Sequence, residues 1–355
     1  MRSITRAGRR TFALVAGILL VALSAAPALA CGGLIGPNGA VNLLRTTTFA
    51  GYHDGVEHYV TSFEFAGGGG AFGSLTPLPG IPTSVVKGGD WTLQRLIRET
   101  DPVPERLSLF SAGAPAADRA EVLLEVTIDA LDITVLRGGA AEVGQWATDH
   151  GFRLPPDAPE VLEFYAARSQ IFLAAAFDGE AAAAAGQAVG DGTPVHITIP
   201  TDNPWVPLRI LALGKTGNET VQADVYLMTD HAPTLLPAPD GFNGMDLANS
   251  QPASESLLAD LRSDRGMEWI PDSAWLTKIE IDATAPQLGF DLAIDASGAG
   301  SPSRVAAGLD LPGAVDPTVM AAMRWFATLA FVTVSLGSIV VLIARRPRDD
   351  GFRTA

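Results

Sequence analysis

The chain has 355 residues, of which 47% are hydrophobic and 18% are charged, and its formal net charge is −15. This hydrophobic content suffices for a packed core and excludes a mainly disordered chain. An acidic surface repels phosphate backbones, so we expect no nucleic-acid partner. Cys31 is the single cysteine, which excludes an intrachain disulfide and a cysteine-rich metal site.

The first 30 residues have the pattern of a secretory signal peptide. Four arginines precede an apolar run at 12–23, and the segment ends in A-L-A at 28–30. The apolar run is too short to span a bilayer comfortably, which favours cleavage between Ala30 and Cys31 over an uncleaved signal anchor. Cys31 then begins the mature chain, either as a free thiol or lipidated. The Arg9-Arg10 pair leaves twin-arginine export open beside the general route.

A second hydrophobic segment, residues 321–344, predicts a transmembrane helix. Its 20 residues from Trp325 to Ala344 carry no charge, and as a helix they span ~30 Å, one bilayer core. Three arginines follow directly: Arg345, Arg346 and Arg348. Because positive residues stay cytoplasmic, we expect residues 345–355 to form a basic cytoplasmic tail and the N-terminal part to lie outside the cell membrane. This basic stop favours a membrane span over a buried core helix.

Between these ends we expect an extracytoplasmic domain at 31–297 and a juxtamembrane stalk at 298–320. The stalk is rich in glycine, serine, alanine and proline, a composition typical of flexible linkers. The segments outside 31–320 hold nine of the 24 basic residues but only two of the 39 acidic ones. The domain is therefore more acidic than the whole chain, which favours cations or basic partners, although solubility alone accounts for such a surface.

The domain begins with a predicted β-hairpin at 43–66. Its two arms, 46–49 and 58–63, are rich in strand formers, and Asp54-Gly55 between them is a strong two-residue turn signal. A short helix is predicted at 90–99, where leucines and isoleucine follow helical spacing.

Residues 121–136 predict one long strand with a bulge near Ala130, because the alternation of apolar residues changes phase there. Two helices follow. The first presents an apolar face over 143–150 and ends at Gly151, and the second begins at Asp157. A strand at 171–177 then completes a β-α-α-β segment.

The rest of the domain predicts further short strands, one long loop at 231–253 and a short helix at 255–262. The strands are expected at 195–199, 206–210, 221–227, 275–281 and 288–294. Short links dominate over crossover helices, which predicts an α+β fold with a mostly antiparallel sheet.

Several short stretches, in this order, resemble a bacterial family known as domain-of-unknown-function family 2330. They are A-C-G-G at 30–33, L-T-P-L-P-G-I-P at 75–82, I-T-V-L at 133–136, Trp146, G-F-R-L-P at 151–155, P-W-V-P-L-R at 204–209 and L-T-K-I at 276–279. The resemblance implies an exported or membrane-attached bacterial protein and supplies no activity or catalytic residue. Many members carry further cysteines near the mature N-terminus, and this chain lacks them.

His53 and His58 are weak candidates for a metal site. If Asp54-Gly55 is a two-residue turn, both histidines lie on one sheet face as diagonal neighbours ~7–8 Å apart. Two imidazoles at that spacing can share a metal or sense pH. The sequence identifies no third ligand, and the alternative is that both histidines are ordinary polar residues at the end of a hairpin. We assign no catalytic and no cofactor-binding residue.

These features predict a single-pass membrane protein with an extracytoplasmic domain that acts as a non-catalytic binding or assembly module at the cell envelope. Its expected partners are the lipid bilayer and an envelope protein or surface polymer. The alternative is an extracytoplasmic hydrolase whose catalytic residues are dispersed along the chain.

Overall fold

A computed structural model describes residues 33–37, 39–40, 46–64, 72–89, 91–100, 122–178, 181, 192–217 and 219–311. The described residues form an α+β fold with mostly antiparallel sheets, as predicted. The predicted signal peptide at 1–30, with its cleavage point Ala30/Cys31, and the predicted membrane anchor from Trp325 onward lie outside this range. Among the described residues, no helix has both the length and the apolar character that a membrane crossing requires.

The largest element is a seven-stranded sheet. Its strands in spatial order are β14 (Met245–Pro252), β15 (Trp275–Thr284), β12 (Thr220–Thr229), β3 (Thr46–His53), β4 (Val56–Glu64), β10 (Gly192–Pro200) and β6 (Ser84–Lys87). Only β3 and β12 run parallel; the other neighbours are antiparallel.

The predicted hairpin of β3 and β4 is confirmed in its register. Gly51 pairs with His58 and His53 pairs with Val56. The turn residues Asp54 and Gly55 have φ angles of 49° and 79°. Positive φ at both central positions is what a type I′ turn requires, and Asp-Gly adopts it at little cost.

The second sheet has six antiparallel strands. In spatial order they are β2 (Gly39–Ala40), β1 (Gly33–Gly36), β5 (Phe72–Leu78), β9 (Ile171–Phe177), β8 (Leu131–Arg137) and β7 (Val122–Ile128). The prediction of one bulged strand at 121–136 is wrong, because Asp129-Ala130 is a turn and Asp129 has φ 55°. A two-residue turn pairs Ile128 with Leu131. This pairing places the apolar side chains of β7 and those of β8 on the same face of the sheet. The phase change in the sequence therefore marks a turn between two antiparallel strands.

A small third sheet consists of β11 (Trp205–Val206), β16 (Leu292–Asp295) and β13 (Thr234–Leu236). The strand predicted at 206–210 stops at Val206, and a 3₁₀ turn, Arg209–Ala212, follows it. Pro207 lacks an N–H, and the next two backbone N–H groups bind a buried carboxylate, that of Asp291. The loop predicted at 231–253 is also wrong, because it contains β13 and β14.

In the part of the chain that the structure describes, four α-helices pack on these sheets: α1 (Thr92–Thr100), α2 (Ala140–Asp149), α3 (Ala158–Ala166) and α4 (Glu255–Ser263). The main core lies between the two large sheets and also includes α2, α3 and the third sheet. A smaller core lies on the opposite face of the seven-stranded sheet, beneath α1 and α4. The seven-stranded sheet is therefore covered by apolar side chains on both faces.

Residues 306–309, close to the last residue that the structure describes, pack against the domain. Ala306, Ala307 and Leu309 are buried, and the backbone N–H of Asp291 donates to the carbonyl of Ala307. The predicted stalk boundary at 298 is therefore wrong for the described residues up to 311, because apolar contacts hold this segment on the fold.

The buried ion pair of Arg168 and Asp291 joins the parts of the main core. The guanidinium of Arg168 donates to Asp291 and to the carbonyl of Ala306. It lies 4.4 Å from the ring centroid of Trp205 and 4.5 Å from that of Phe164, within the range of cation–π attraction. The Asp291 carboxylate also accepts hydrogen bonds from three other donors: Tyr165 Oη at 3.0 Å, Leu208 N at 2.6 Å and Arg209 N at 2.8 Å.

Asp291→Asn tests this pair because it keeps the size of the side chain and removes the charge opposite Arg168. Breaking a buried pair leaves an uncompensated charge, so we expect the free energy of unfolding to fall by about 3–5 kcal/mol. Urea unfolding followed by tryptophan fluorescence measures it. Asp310→Asn is the control, since it breaks the exposed pair with Arg304 and should cost no more than about 1 kcal/mol. Equal effects of the two variants would contradict this view.

Candidate functional site

A pair of histidines lies where β4 and β10 run side by side. His58 of β4 pairs in register with Thr198, so His196, two residues earlier on β10, is its diagonal neighbour on the same sheet face. Nδ1 of His58 lies 3.1 Å from Nε2 of His196. The sequence does not point to His196, because only the strand register brings it beside His58.

Burial keeps both imidazoles neutral. Burial, with smaller effects of the neighbouring His196 and His53, lowers the pKa of His58 to about 3. It lowers the pKa of His196 to about 4, against a smaller opposing effect of Glu268. His196 is 4% exposed, and its Nδ1 has no hydrogen-bond partner among the described residues. The pair therefore presents neutral ring nitrogens at neutral pH.

The loop after α4 covers this pair. The Trp269 ring stacks on His58 with centroids 3.8 Å apart and planes within 5° of parallel. Gly51 makes room for Trp269, since a Cβ at this position would lie 2.1 Å from the indole. Gly266, at φ 74°, brings the loop backbone close to Nδ1 of His196. The His58 ring therefore lies between the sheet and the indole of Trp269.

The structure does not join the two histidines named from the sequence. His53 instead contacts a carboxylate oxygen of Asp230 through its Nδ1 at 2.7 Å, while His58 contacts His196. Within the described ranges, no three histidine, cysteine, aspartate or glutamate residues are grouped closely enough to hold a metal ion.

Glu57 points to the opposite face of the sheet, into the main core. Glu57 is fully buried. One of its carboxyl oxygens accepts a hydrogen bond from the backbone N–H of Trp205 at 3.3 Å, and the other has no partner among the described residues. Burial raises the pKa of Glu57 to about 8, and the bond from Trp205 opposes this shift. Glu57 therefore folds as a neutral acid near neutral pH.

A polar cleft of about 300 Å³ opens at the edge of the third sheet. Tyr52, Asp202, Asn203 and Asp295 line it, together with three serines: Ser297, Ser301 and Ser303. Tyr52 Oη donates to the Thr201 carbonyl at 2.9 Å. Burial raises the pKa of Tyr52, and the charges of Asp202 and Glu57 add to that effect. The cleft therefore presents hydroxyls and carboxylates to solvent.

A second cavity, of about 340 Å³, lies between α3 and the second 3₁₀ turn, Ala285–Gln287. Its charged groups already bind within the fold: Arg209 donates to Glu160 at 2.5 Å, and Asp157 accepts from the backbone of Gly214. Burial lowers the pKa of Lys215 in its wall. In the cleft at the third sheet, Asp295 accepts a hydrogen bond from the backbone N–H of Ser297 at 2.8 Å, which leaves its second oxygen and the Asp202 carboxylate to face the cleft.

Residues 25–287 match the model of a family described as an uncharacterized protein conserved in bacteria, domain-of-unknown-function family 2330. The chain belongs to this family. The match contains the histidine pair, Glu57 and Asp202, whereas Asp295 and the three serines lie beyond its end. No curated protein matches this family 2330 chain.

Solved structures of baculovirus P35 show a loose likeness to this family 2330 protein. One crystal structure of P35 is 12% identical, with 59% of this chain and 76% of that chain covered and a TM-score of 0.35. A mutated P35 after caspase cleavage is 7% identical, with 72% and 98% covered and a TM-score of 0.38. At these TM-scores the likeness carries no argument about fold or function.

Glu57→Gln tests the buried acid of this family 2330 domain. The folded state holds a proton that the unfolded chain releases above pH 4.5, so Glu57 stabilises the fold less as pH rises from 4.5 to 8. At pH 8 we expect the free energy of unfolding of Glu57→Gln to be higher than that of the parent by on the order of 2–4 kcal/mol. At pH 5 the increase should be smaller. Unfolding free energies across this range measure it.

The control is Glu125→Gln, which makes the same change at an exposed position of β7. A Glu57→Gln protein that loses stability at pH 8 would contradict the assignment of a buried neutral acid.

Proposed function

We propose that this family 2330 protein is a membrane-anchored extracytoplasmic module that binds a partner at the cell envelope. The location rests on the two ends of the sequence, a signal peptide at 1–30 and an apolar segment at 321–344 followed by arginines. The folded domain between them then faces the envelope. The bilayer is one partner, through the transmembrane helix predicted at 321–344, and an envelope protein or surface polymer is the other.

The observation that carries the binding role is the polar cleft at the third sheet. Concave sites of about this volume, with a few convergent polar groups, are typical of ligand binding. Two carboxylates, Asp202 and Asp295, accompany the Tyr52 ring and serine hydroxyls there. Carboxylates beside an aromatic ring suit an amine or guanidinium group, and hydroxyls suit a hydroxyl-rich chain.

The charge of the domain supports the same kind of partner. The acidic excess lies in the part between the two predicted terminal segments. A field of one sign attracts ligands of the opposite sign and raises their association rate. We therefore propose a partner that presents basic groups to the cleft.

The location is tested by cysteine labelling in cells with an intact cytoplasmic membrane. In a Cys31→Ser background, Ala259→Cys places a thiol on the exposed side of α4, and Ala355→Cys places one in the tail. A membrane-impermeant maleimide should label Ala259→Cys at once and Ala355→Cys only after permeabilisation. The reverse pattern would overturn the proposed orientation, and equal labelling of both before permeabilisation would overturn the single span.

The binding role is tested by crosslinking in intact cells and recovery of the tagged full chain. A recurrent partner should be captured, and Asp202→Asn should lower its yield about tenfold, the cost of one hydrogen bond to a charged group. Asp282→Asn removes the same charge from an exposed position on β15 and should leave the yield unchanged. Recovery of the chain alone would contradict the proposal, and substrate turnover by the purified protein would favour the hydrolase alternative.

A further inference from the structure

Burial of the histidine pair destabilises the fold, and the hydrogen bond between the two rings does not offset this loss. Two imidazoles are buried in the neutral form, and Nδ1 of His196 has no partner among the described residues. A buried polar atom without a partner has lost its hydrogen bonds to water and gained none in the fold, which destabilises the folded state. Two apolar side chains would pack against the smaller core, which includes Phe49, Val60 and Met267, without this cost. Such a departure from a stable core is characteristic of functional positions.

The geometry of the pair matches two ligands of one metal ion. Zinc binds imidazole nitrogen at ~2.0–2.1 Å in tetrahedral sites, which places two such nitrogens ~3.3–3.4 Å apart. Nδ1 of His58 and Nε2 of His196 lie 3.1 Å apart, and their rings are tilted by 35°. A separation of a few tenths of an ångström and a small rotation of each ring would therefore admit a cation.

The surroundings suit a bound cation. Stacking on Trp269 fixes the plane of the half-buried His58, so the rotation that a cation requires can take place within that plane. The exposed Glu268 places a negative charge near His196, which offsets part of the charge of a divalent ion. On the solvent side of His58, water can fill the remaining coordination positions.

We propose that His58 and His196 form a two-imidazole site for a borderline divalent transition-metal cation such as Zn²⁺ or Cu²⁺, with solvent completing the coordination. Imidazole is the ligand type that these ions share. This site lies on the sheet face opposite Glu57 and uses none of the residues of the polar cleft. A negative result for metal binding therefore leaves the proposed partner binding unaffected. A negative result for partner binding likewise leaves the proposed metal site unaffected.

The first experiment uses the full chain, purified with a histidine-free tag and stripped by chelator. The protein has five histidines, so selective ¹⁵N labelling of their rings gives a small set of signals. Titration with Zn²⁺ at pH 7.5 should shift the signals of two buried histidines at one equivalent. Cu²⁺ should give an electron paramagnetic resonance spectrum with coupling to two nitrogens. This measurement needs no variant and so does not depend on whether a mutant folds.

The variants identify the ligands. His58→Gln and His196→Gln should each weaken Zn²⁺ binding in equilibrium dialysis by at least ~100-fold, since loss of a direct ligand exceeds the 10–100-fold cost of losing an outer-shell partner. His231→Gln changes an exposed histidine and is the matched control. Zn²⁺ that shifts only the signals of His53, His150 or His231, binds below one equivalent, or binds both variants as tightly as the parent would overturn the proposal.

Discussion

The ion pair of Arg168 and Asp291 is the interaction on which the arrangement of the main core depends. Exchanging a buried ion pair for well-packed apolar residues is often neutral or stabilising, so its presence alone does not explain stability. Its effect here is positional, because one carboxylate binds Arg168, Tyr165 and two backbone N–H groups at once. The guanidinium adds the carbonyl of Ala306. The ion pair therefore fixes the positions of helix α3, the turn after β11 and the segment near Ala306 relative to one another. The walls of the polar cleft depend on this arrangement.

The strand β4 serves two different environments through adjacent residues. Side chains alternate across a strand, so Glu57 enters the main core while His58 faces the smaller core beneath Trp269. On one face, burial favours a neutral carboxylic acid. On the other face, burial favours neutral imidazoles. One strand can carry both groups because the sheet is covered on both sides, which removes water from each.

The ligands that we propose for the polar cleft and for the histidine pair differ in chemistry, but both carry positive charge. Hard carboxylate and hydroxyl oxygens line the cleft, whereas ring nitrogens form the pair. The acidic surface attracts cations of every kind at long range, but contact geometry decides which group binds where. In these two proposals, the charge of the surface selects the sign of a ligand, and the side chains of each site select its type.

The sequence by itself determined the α+β class, the family and several local elements. The β3–β4 register follows from Asp54-Gly55, because an aspartate and a glycine tolerate the positive φ angles of a tight turn. The helices α1 and α2 follow from local periodicity, and the start of α3 follows from the capping pattern at Asp157. Only the tertiary structure decided that His58 meets His196 rather than His53, because strands far apart in sequence set that register. It also decided that Asp291 ends the strand after Val206 and that the segment near Ala307 packs on the domain, since long-range contacts leave no periodic signal in the chain.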